Sequence, residues 1–340
     1  MHRQHFGRPS IALSVLVALV PAATAEPPRL SLPIACEVGR TCFVQNHVDL
    51  DPGPGVRDFA CGAASYDGHK GVDFRLVSAV AVSAGIAVLA AAPGVVRGVR
   101  DGMADQFARE EGGRSFAGRE CGNGVVVDHG GGWETQYCHM RRGSVAVRSG
   151  EAVARGAHLG SVGFSGFADF AHLHFAVRRN GAVIDPYSGD TVGAASCRQD
   201  VVAKPRETGL WDDGAVQALP YRRGEFIESG FAAAIPSTLQ LEHGGGRVAA
   251  PSPESDGLVF FARAINAIKG DSIRIRVKGP GGFGIETTGD ALDRDKAVVV
   301  QAAGRKRSWR RWAAGTYKGL AELVREGQVV ATTSGVLELP

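Results

Sequence analysis

The chain has 340 residues, 44% of them hydrophobic and 21% charged, which fits a folded protein of two or so domains and excludes a disordered one. Glycine is the outlier at 47 residues, about twice the usual ~7%, and without a G-X-Y period it points to a turn-rich β protein, not collagen. The formal net charge of +3 is mildly basic and gives no reason to invoke nucleic acid.

Residues 1–10 carry Arg3 and Arg8 and no acid, residues 11–20 are apolar, and Ala23-Thr24-Ala25 is a small-x-small cleavage site. Together they predict a signal peptide over residues 1–25 and export to the periplasm or the medium. The apolar run is shorter than the ~20 residues of a membrane span, and no later stretch qualifies, so no transmembrane segment is expected. A lipid on Cys36 is disfavoured by Leu32-Pro33-Ile34-Ala35, a poor attachment box. The mature chain is expected to begin at Glu26.

Residues 26–65 form a Pro/Gly-rich lead-in, expected to lie over a neighbour and be stapled to it. Its Asp49 and Asp51 are read as a solvated turn rather than a calcium site. Residues 66–190 read as consecutive strands with glycine turns: 80–93, 94–99, 124–129, 134–140, 151–159 and 172–178. The polar stretch 100–122 between two of them reads as a long surface loop. Residues 191–215 read as a linker. From 216 to 340 the pattern is β again, with strands at 258–263, 273–277, 297–301, 319–325 and 328–332 and a hairpin turn at Glu326-Gly327. That spacing predicts a small immunoglobulin-like β-sandwich as an accessory domain. The fold class is thus all-β, a mainly antiparallel sheet domain followed by a sandwich.

The six cysteines agree with an oxidising compartment. The sequence alone does not choose their connectivity, but two pairs look easy. Cys36 and Cys42 bracket a turn at Gly39, and Cys121 and Cys138 flank a hairpin whose turn is Gly130-Gly131-Gly132. Cys61 would then pair with Cys197. No C-x-x-C occurs, so a cysteine zinc site is set aside.

The chemistry lies in the histidines of the middle part. His69-Lys70-Gly71-Val72-Asp73 is an H-x-x-x-D, Tyr137-Cys138-His139 is a second cluster, and His172-Leu173-His174 opens a strand. Residues i and i+2 of a strand share a face, so His172 and His174 project together and the same rule aligns Tyr137 with His139. Imidazoles and a carboxylate on one face suit zinc. His2, His5, His47, His158 and His243 are read as surface residues without a role, and His129 as a structural turn residue.

Gly68-His69-Lys70-Gly71-Val72-Asp73-Phe74, Gly122-Asn123-Gly124 through His129, Tyr137-Cys138-His139-Met140, Ala171-His172-Leu173-His174-Phe175 and Ile184-Asp185-Pro186 occur in one order over residues 66–190. This segment resembles the lysostaphin/LytM-type zinc endopeptidases. The resemblance implies a compact antiparallel β fold whose groove holds peptidoglycan stem peptides or cross-bridges. It also implies one Zn²⁺ per chain on His69, Asp73 and His174, with water in the fourth position, and His139 and His172 as the two non-ligand catalytic histidines. No H-E-x-x-H occurs, so no glutamate base is expected. The expected function is a zinc endopeptidase of peptidoglycan. The alternatives are a non-catalytic regulator or wall-binding protein on the same fold and a zinc D-alanyl-D-alanine carboxypeptidase. The basic run from Arg305 to Trp312 is weighed as a grip on an anionic envelope polymer against a solvated hairpin with partly buried tryptophans.

Overall fold

A computed structural model describes residues 26–110, 116–193, 209–244, 248–308 and 310–340. The signal peptide read in residues 1–25 lies outside them. Among the described residues the chain is mostly β-strands in antiparallel sheets with few helices, and no helix is long and apolar enough to cross a membrane.

The strands of the first part are β1 (Cys42–Asn46), β2 (Val72–Leu76), β3 (Ala87–Leu89), β4 (Gly94–Arg100), β5 (Asn123–Gly130), β6 (Trp133–Met140), β7 (Ala152–Val153), β8 (His158–Ser161), β9 (His172–Arg179) and β10 (Ala182–Ile184). One sheet runs β1-β2-β9-β6-β5-β4-β7, with β10 paired to the far end of β9, and β3 pairs with β8 apart from it. The β5–β6 hairpin turns on three consecutive glycines with φ of 82°, 59° and 80°, a left-handed run that side chains resist.

Two expected strands are corrected. Residues 79–84 form a 3-10 turn instead of the start of a strand over 80–93, closed by Gly85 at φ 66°, and only Ala87–Leu89 is extended. Alternating Ala and Val imitates a strand period, but Val80 stays half-exposed and only Val82 finds the core. The expected strand 151–159 is broken by the turn in which the Ala157 amide donates to the Ala154 carbonyl, so β7 joins β4 while β8 joins β3.

The lead-in is part of the main core, with Val48, Leu50 and Phe59 buried beside Phe74, Tyr187 and Trp211. Cys36–Cys42 and Cys121–Cys138 are both disulfides, as expected. Cys61 is disulfide-bonded too, and its expected partner Cys197 lies outside the described residues. Within the 100–122 stretch, Asp105 accepts the Phe164 and Arg142 amides, both at 2.9 Å, and Phe107 is buried, so the part around residues 105–107 is pinned to the body.

Beyond α1 (Asp213–Ala218), the second part holds β11 (Glu225–Ala232), α2 (Thr238–His243), β12 (Gly257–Ala267), β13 (Ser272–Lys278), β14 (Gly284–Thr288), β15 (Lys296–Lys306), β16 (Gly315–Arg325) and β17 (Gln328–Leu339). They form a β11-β12-β15 sheet and a β14-β13-β16-β17 sheet. Phe260, Ala262 and Ala264 of one meet Ile273, Ile275, Ala321 and Leu323 of the other in a shared core. The β16–β17 turn is Glu326-Gly327, with positive φ at both residues as a two-residue hairpin prefers. This part abuts the first through Phe43, Ile227 and Ile265 and through Gln45 and Asn266, which bond the carbonyls of Ala297 and Val44.

Candidate metal centre

Sheet register assembles the site. Asp73 of β2 stands opposite His174 of β9, and Arg75 opposite His172. His69 lies in the turn before β2, four residues ahead of Asp73. Asp73 Oδ1 is 2.8 Å from His174 Nδ1 and 3.1 Å from His69 Nε2, and those two nitrogens are 3.1 Å apart. These three atoms lie within 4.8 Å of one another, and no other such group occurs among the described residues. The three expected ligands therefore come together. His69 and Asp73 are buried at 2% exposure, while the His174 side chain keeps 16%.

The remaining atoms of two donors are already committed. His69 Nδ1 donates to the His47 carbonyl at 2.7 Å, which leaves the Nε2 lone pair facing inward. Asn46 Nδ2 donates to Asp73 Oδ2 at 2.7 Å, which leaves Oδ1 for the cluster. Such outer partners fix tautomer and orientation in metal sites. Two nitrogens and one carboxylate oxygen, those of His69 and Asp73 turned to one point by bonds on their far sides, are a donor set that fits zinc. Asn46 and His47 are the residues that sequence reasoning misses. His47, expected at the surface without a role, is 2% exposed and ringed by Phe59, Tyr187 and Tyr221. Burial brings its pKa down to about 4.

The two remaining histidines flank the cluster. His172 Nδ1 donates to the Phe170 carbonyl at 2.9 Å, and its Nε2 is 3.6 Å from Asp73 Oδ1. His139 Nδ1 donates to the Ser165 carbonyl at 2.8 Å, and its ring lies 4.5 Å from that of His172. Each thus turns Nε2 away from its committed nitrogen. The shared face predicted for Tyr137 and His139 is corrected. Tyr137 packs on Phe175 in the core and donates no group to the site. A bulge in the β5–β6 register and a left-handed His139, φ 60°, reverse the phase so that His139 turns to His172 instead.

Burial, reinforced by the neighbouring imidazoles, holds His139 well below the ordinary histidine value. His172 and His174 are also lowered, chiefly by burial. Burial works against ionisation of Asp73, but the His69 and His172 charges and the bonds from His174 and His69 outweigh it, so its carboxyl sits well below the usual range. For His69 burial likewise opposes the charge, and Asp73 overrides it, so its pKa is raised. The cluster therefore offers an anionic carboxylate among mostly neutral imidazoles, a set suited to hold a cation.

The other polar candidates are structural. His129 bonds the Pro93 carbonyl and Thr135 Oγ1 at 2.7 and 2.8 Å, as expected of a turn residue. The solvated turn expected at Asp49 is corrected: Asp49 is buried, and its carboxylate accepts the amides of Asp51, Arg57 and Gly68.

Residues 67–186 match the sequence model of peptidase family M23. Over 128 residues the chain is 31% identical to a protein of Haemophilus influenzae named "Uncharacterized metalloprotease", covering 38% of this chain and 22% of that protein. Over 125 residues it is 32% identical to "DD-carboxypeptidase/endopeptidase Mpg" of Neisseria meningitidis, covering 35% of this chain and 22% of that one. The chain thus spans about a fifth of the length of these curated relatives. Among solved structures, the catalytic domain of the antimicrobial peptidase lysostaphin from Staphylococcus simulans aligns at 20% identity and a TM-score of 0.27, over 42% of this chain and 85% of that one.

Proposed function

Starting from an M23 peptidase domain at residues 67–186, we propose that this protein is an exported zinc endopeptidase that hydrolyses peptide cross-links of bacterial peptidoglycan. The observation that carries this reading is the convergence of His69 Nε2, Asp73 Oδ1 and His174 Nδ1 beside two imidazoles outside that set. Those three residues would hold one zinc. When bound, zinc supplies Lewis acidity and brings the pKa of its water towards ~7.

The chain's own groups supply the proton handling. His139 and His172 each have Nδ1 tied to a carbonyl, which leaves Nε2 as the nitrogen for proton transfer, that of His172 lying 3.6 Å from Asp73 Oδ1. Lowered pKa values keep both neutral at pH 7, the form that accepts a proton from water as a peptide carbonyl is attacked. The imidazolium so formed donates to the oxyanion or to the departing amine, and the two histidines share these tasks. Holding each ring from its far nitrogen removes the reorientation that a free side chain would need.

The Neisseria relative's name, DD-carboxypeptidase/endopeptidase, supports a D,D-peptide substrate and favours the carboxypeptidase as second reading. The intact ligand set speaks against a non-catalytic regulator. Export rests on residues 1–25. An anionic envelope polymer belongs to the reading at Arg305, Arg310, Arg311 and Trp312, which line a cavity of about 240 Å³.

The test measures zinc content and muropeptide release for the mature chain, His174→Ala and His172→Ala. Wild type should carry one zinc and convert cross-linked muropeptides to monomers. His174→Ala should lose the metal, and His172→Ala should keep it and lose turnover. Release of D-alanine alone from uncross-linked pentapeptides would select the carboxypeptidase, and a metal-free or inert wild type would refute both.

A further inference from the structure

Arg75 has no exposed surface, although it lies on β2 only two residues beyond Asp73. Its Nη2 reaches both carboxylate oxygens of Glu242, at 3.0 and 2.8 Å, and its Nη1 donates to Gln45 Oε1 at 2.7 Å. Glu242 belongs to α2, 167 residues later, and is itself buried at 2% exposure. It also lies 3.0 Å from Arg263 Nη1, and Arg263 in turn reaches Glu228 at 2.7 Å and the Val77 carbonyl. Two arginines and two glutamates therefore cancel in charge between the two parts of the chain. Apolar side chains of similar volume usually serve stability as well as or better than such a buried network. Stability alone gives no reason for this one.

The other face of Arg75 supplies one. Its guanidinium lies over the Phe170 ring, 4.7 Å from the centroid. The Phe170 ring is 4.4 Å from that of His172, and the Phe170 carbonyl accepts the His172 Nδ1–H at 2.9 Å. Arg75 also stands opposite His172 in the β2–β9 register. A continuous chain of contacts thus runs from Glu242 through Arg75 and Phe170 to a histidine that binds no metal in the proposed centre.

We propose that Arg75, held by Glu242, is a positioning residue for His172: it clamps Phe170, whose ring and carbonyl set the tautomer and tilt of the imidazole. The segment after residue 215 is then a working component of the peptidase site as well as a neighbour of it. This rests on the proton-handling role given to His172 above.

The experiment uses the full mature chain, zinc-loaded and labelled with ¹⁵N-histidine, as wild type, Arg75→Met, Glu242→Gln and Phe170→Leu. The protected Nδ1–H signal of His172, assigned by its disappearance in His172→Gln, is read beside that of His69, which bonds the His47 carbonyl and serves as the internal control. The proposal expects the His172 signal to move or lose protection in all three variants while the His69 signal and zinc content hold. On muropeptides, kcat should fall about tenfold or more with KM nearly unchanged, as a misplaced catalytic group costs. Arg75→Met combined with Phe170→Leu should be no worse than Phe170→Leu alone. Glu242→Gln keeps the shape of the network and remains informative where Arg75→Met fails to fold. An unchanged His172 signal in variants that only melt earlier would overturn the proposal. If the signals respond as expected but wild type cleaves no muropeptide, the positioning stands and the peptidoglycan reading falls.

Discussion

Asp185, in the turn after β10, offers a sharp test of how this core handles charge. It is fully buried. Its Oδ1 accepts the Tyr187 and Ser188 amides at 2.9 and 2.7 Å, and its Oδ2 has no hydrogen-bond partner among the described residues. Burial pushes its carboxyl up from 3.8 to about 7, against the lowering effect of those bonds. The folded chain therefore keeps a proton that the unfolded chain releases between about pH 4 and 7. Stability is fully present below that window and declines as pH rises through it. At ~1.4 kcal/mol per pH unit, the loss above pH 7 approaches about 4 kcal/mol as a ceiling. Asp185→Asn keeps the Oδ1 acceptor and removes the titration. Wild type and variant should melt together near pH 3, below the unfolded value, and the variant should melt higher at pH 7.5. At ~2–4 °C per kcal/mol, the gap reaches several degrees. Thermal unfolding by circular dichroism across that range checks this. The histidines titrate in both proteins and cancel in the difference. A gap that does not change with pH, or a variant less stable at pH 7.5, would refute the reasoning.

A Cβ at Gly71 would sit 2.6 Å from the Phe175 carbonyl and 2.7 Å from the His174 ring. Gly71→Ala should therefore displace His174 and weaken zinc binding at least tenfold in a chelator competition, with ~1–3 kcal/mol lost from overpacking. Asn46→Ala leaves Asp73 Oδ2 without its partner, and zinc affinity should fall ~10–100-fold in the same assay with the fold intact. Replacing Cys121 and Cys138 together by serine opens a cross-link over 17 residues, which should cost ~3 kcal/mol of stability. Because the His139 amide donates to the Cys121 carbonyl, kcat should drop as well while metal analysis still finds zinc.

The ligand set is legible in the sequence because each half of it is local. H-x-x-x-D and H-x-H carry their own spacing, and a single strand register joins Asp73 to His174. Asn46 and His47 are not legible. They reach Asp73 and His69 across 27 and 22 residues, through a pairing of β1 with β2 that no local pattern announces. The phase of His139 escapes for a related reason. Alternation is a rule for regular strands, and a bulge with a left-handed residue at its end breaks it. Strands β5, β9, β13 and β17 are legible where long side chains alternate or run together. The Ala/Val stretch at 79–84 is not, since side chains that small commit the backbone to neither form. Arg75 gives no signal either, because its partners Gln45 and Glu242 lie 30 and 167 residues away.

One consequence follows for anyone trimming this protein to the segment that matches the peptidase family. β1 is the outermost strand of the large sheet, and it lies against β2. A chain cut to residues 67–186 would leave the outer amides and carbonyls of β2 bare along the strand that carries Asp73. Unpaired strands of that kind recruit strands from other molecules. The minimal fragment should thus be lost to self-association during expression, and its failure would say nothing about whether the intact protein is an enzyme.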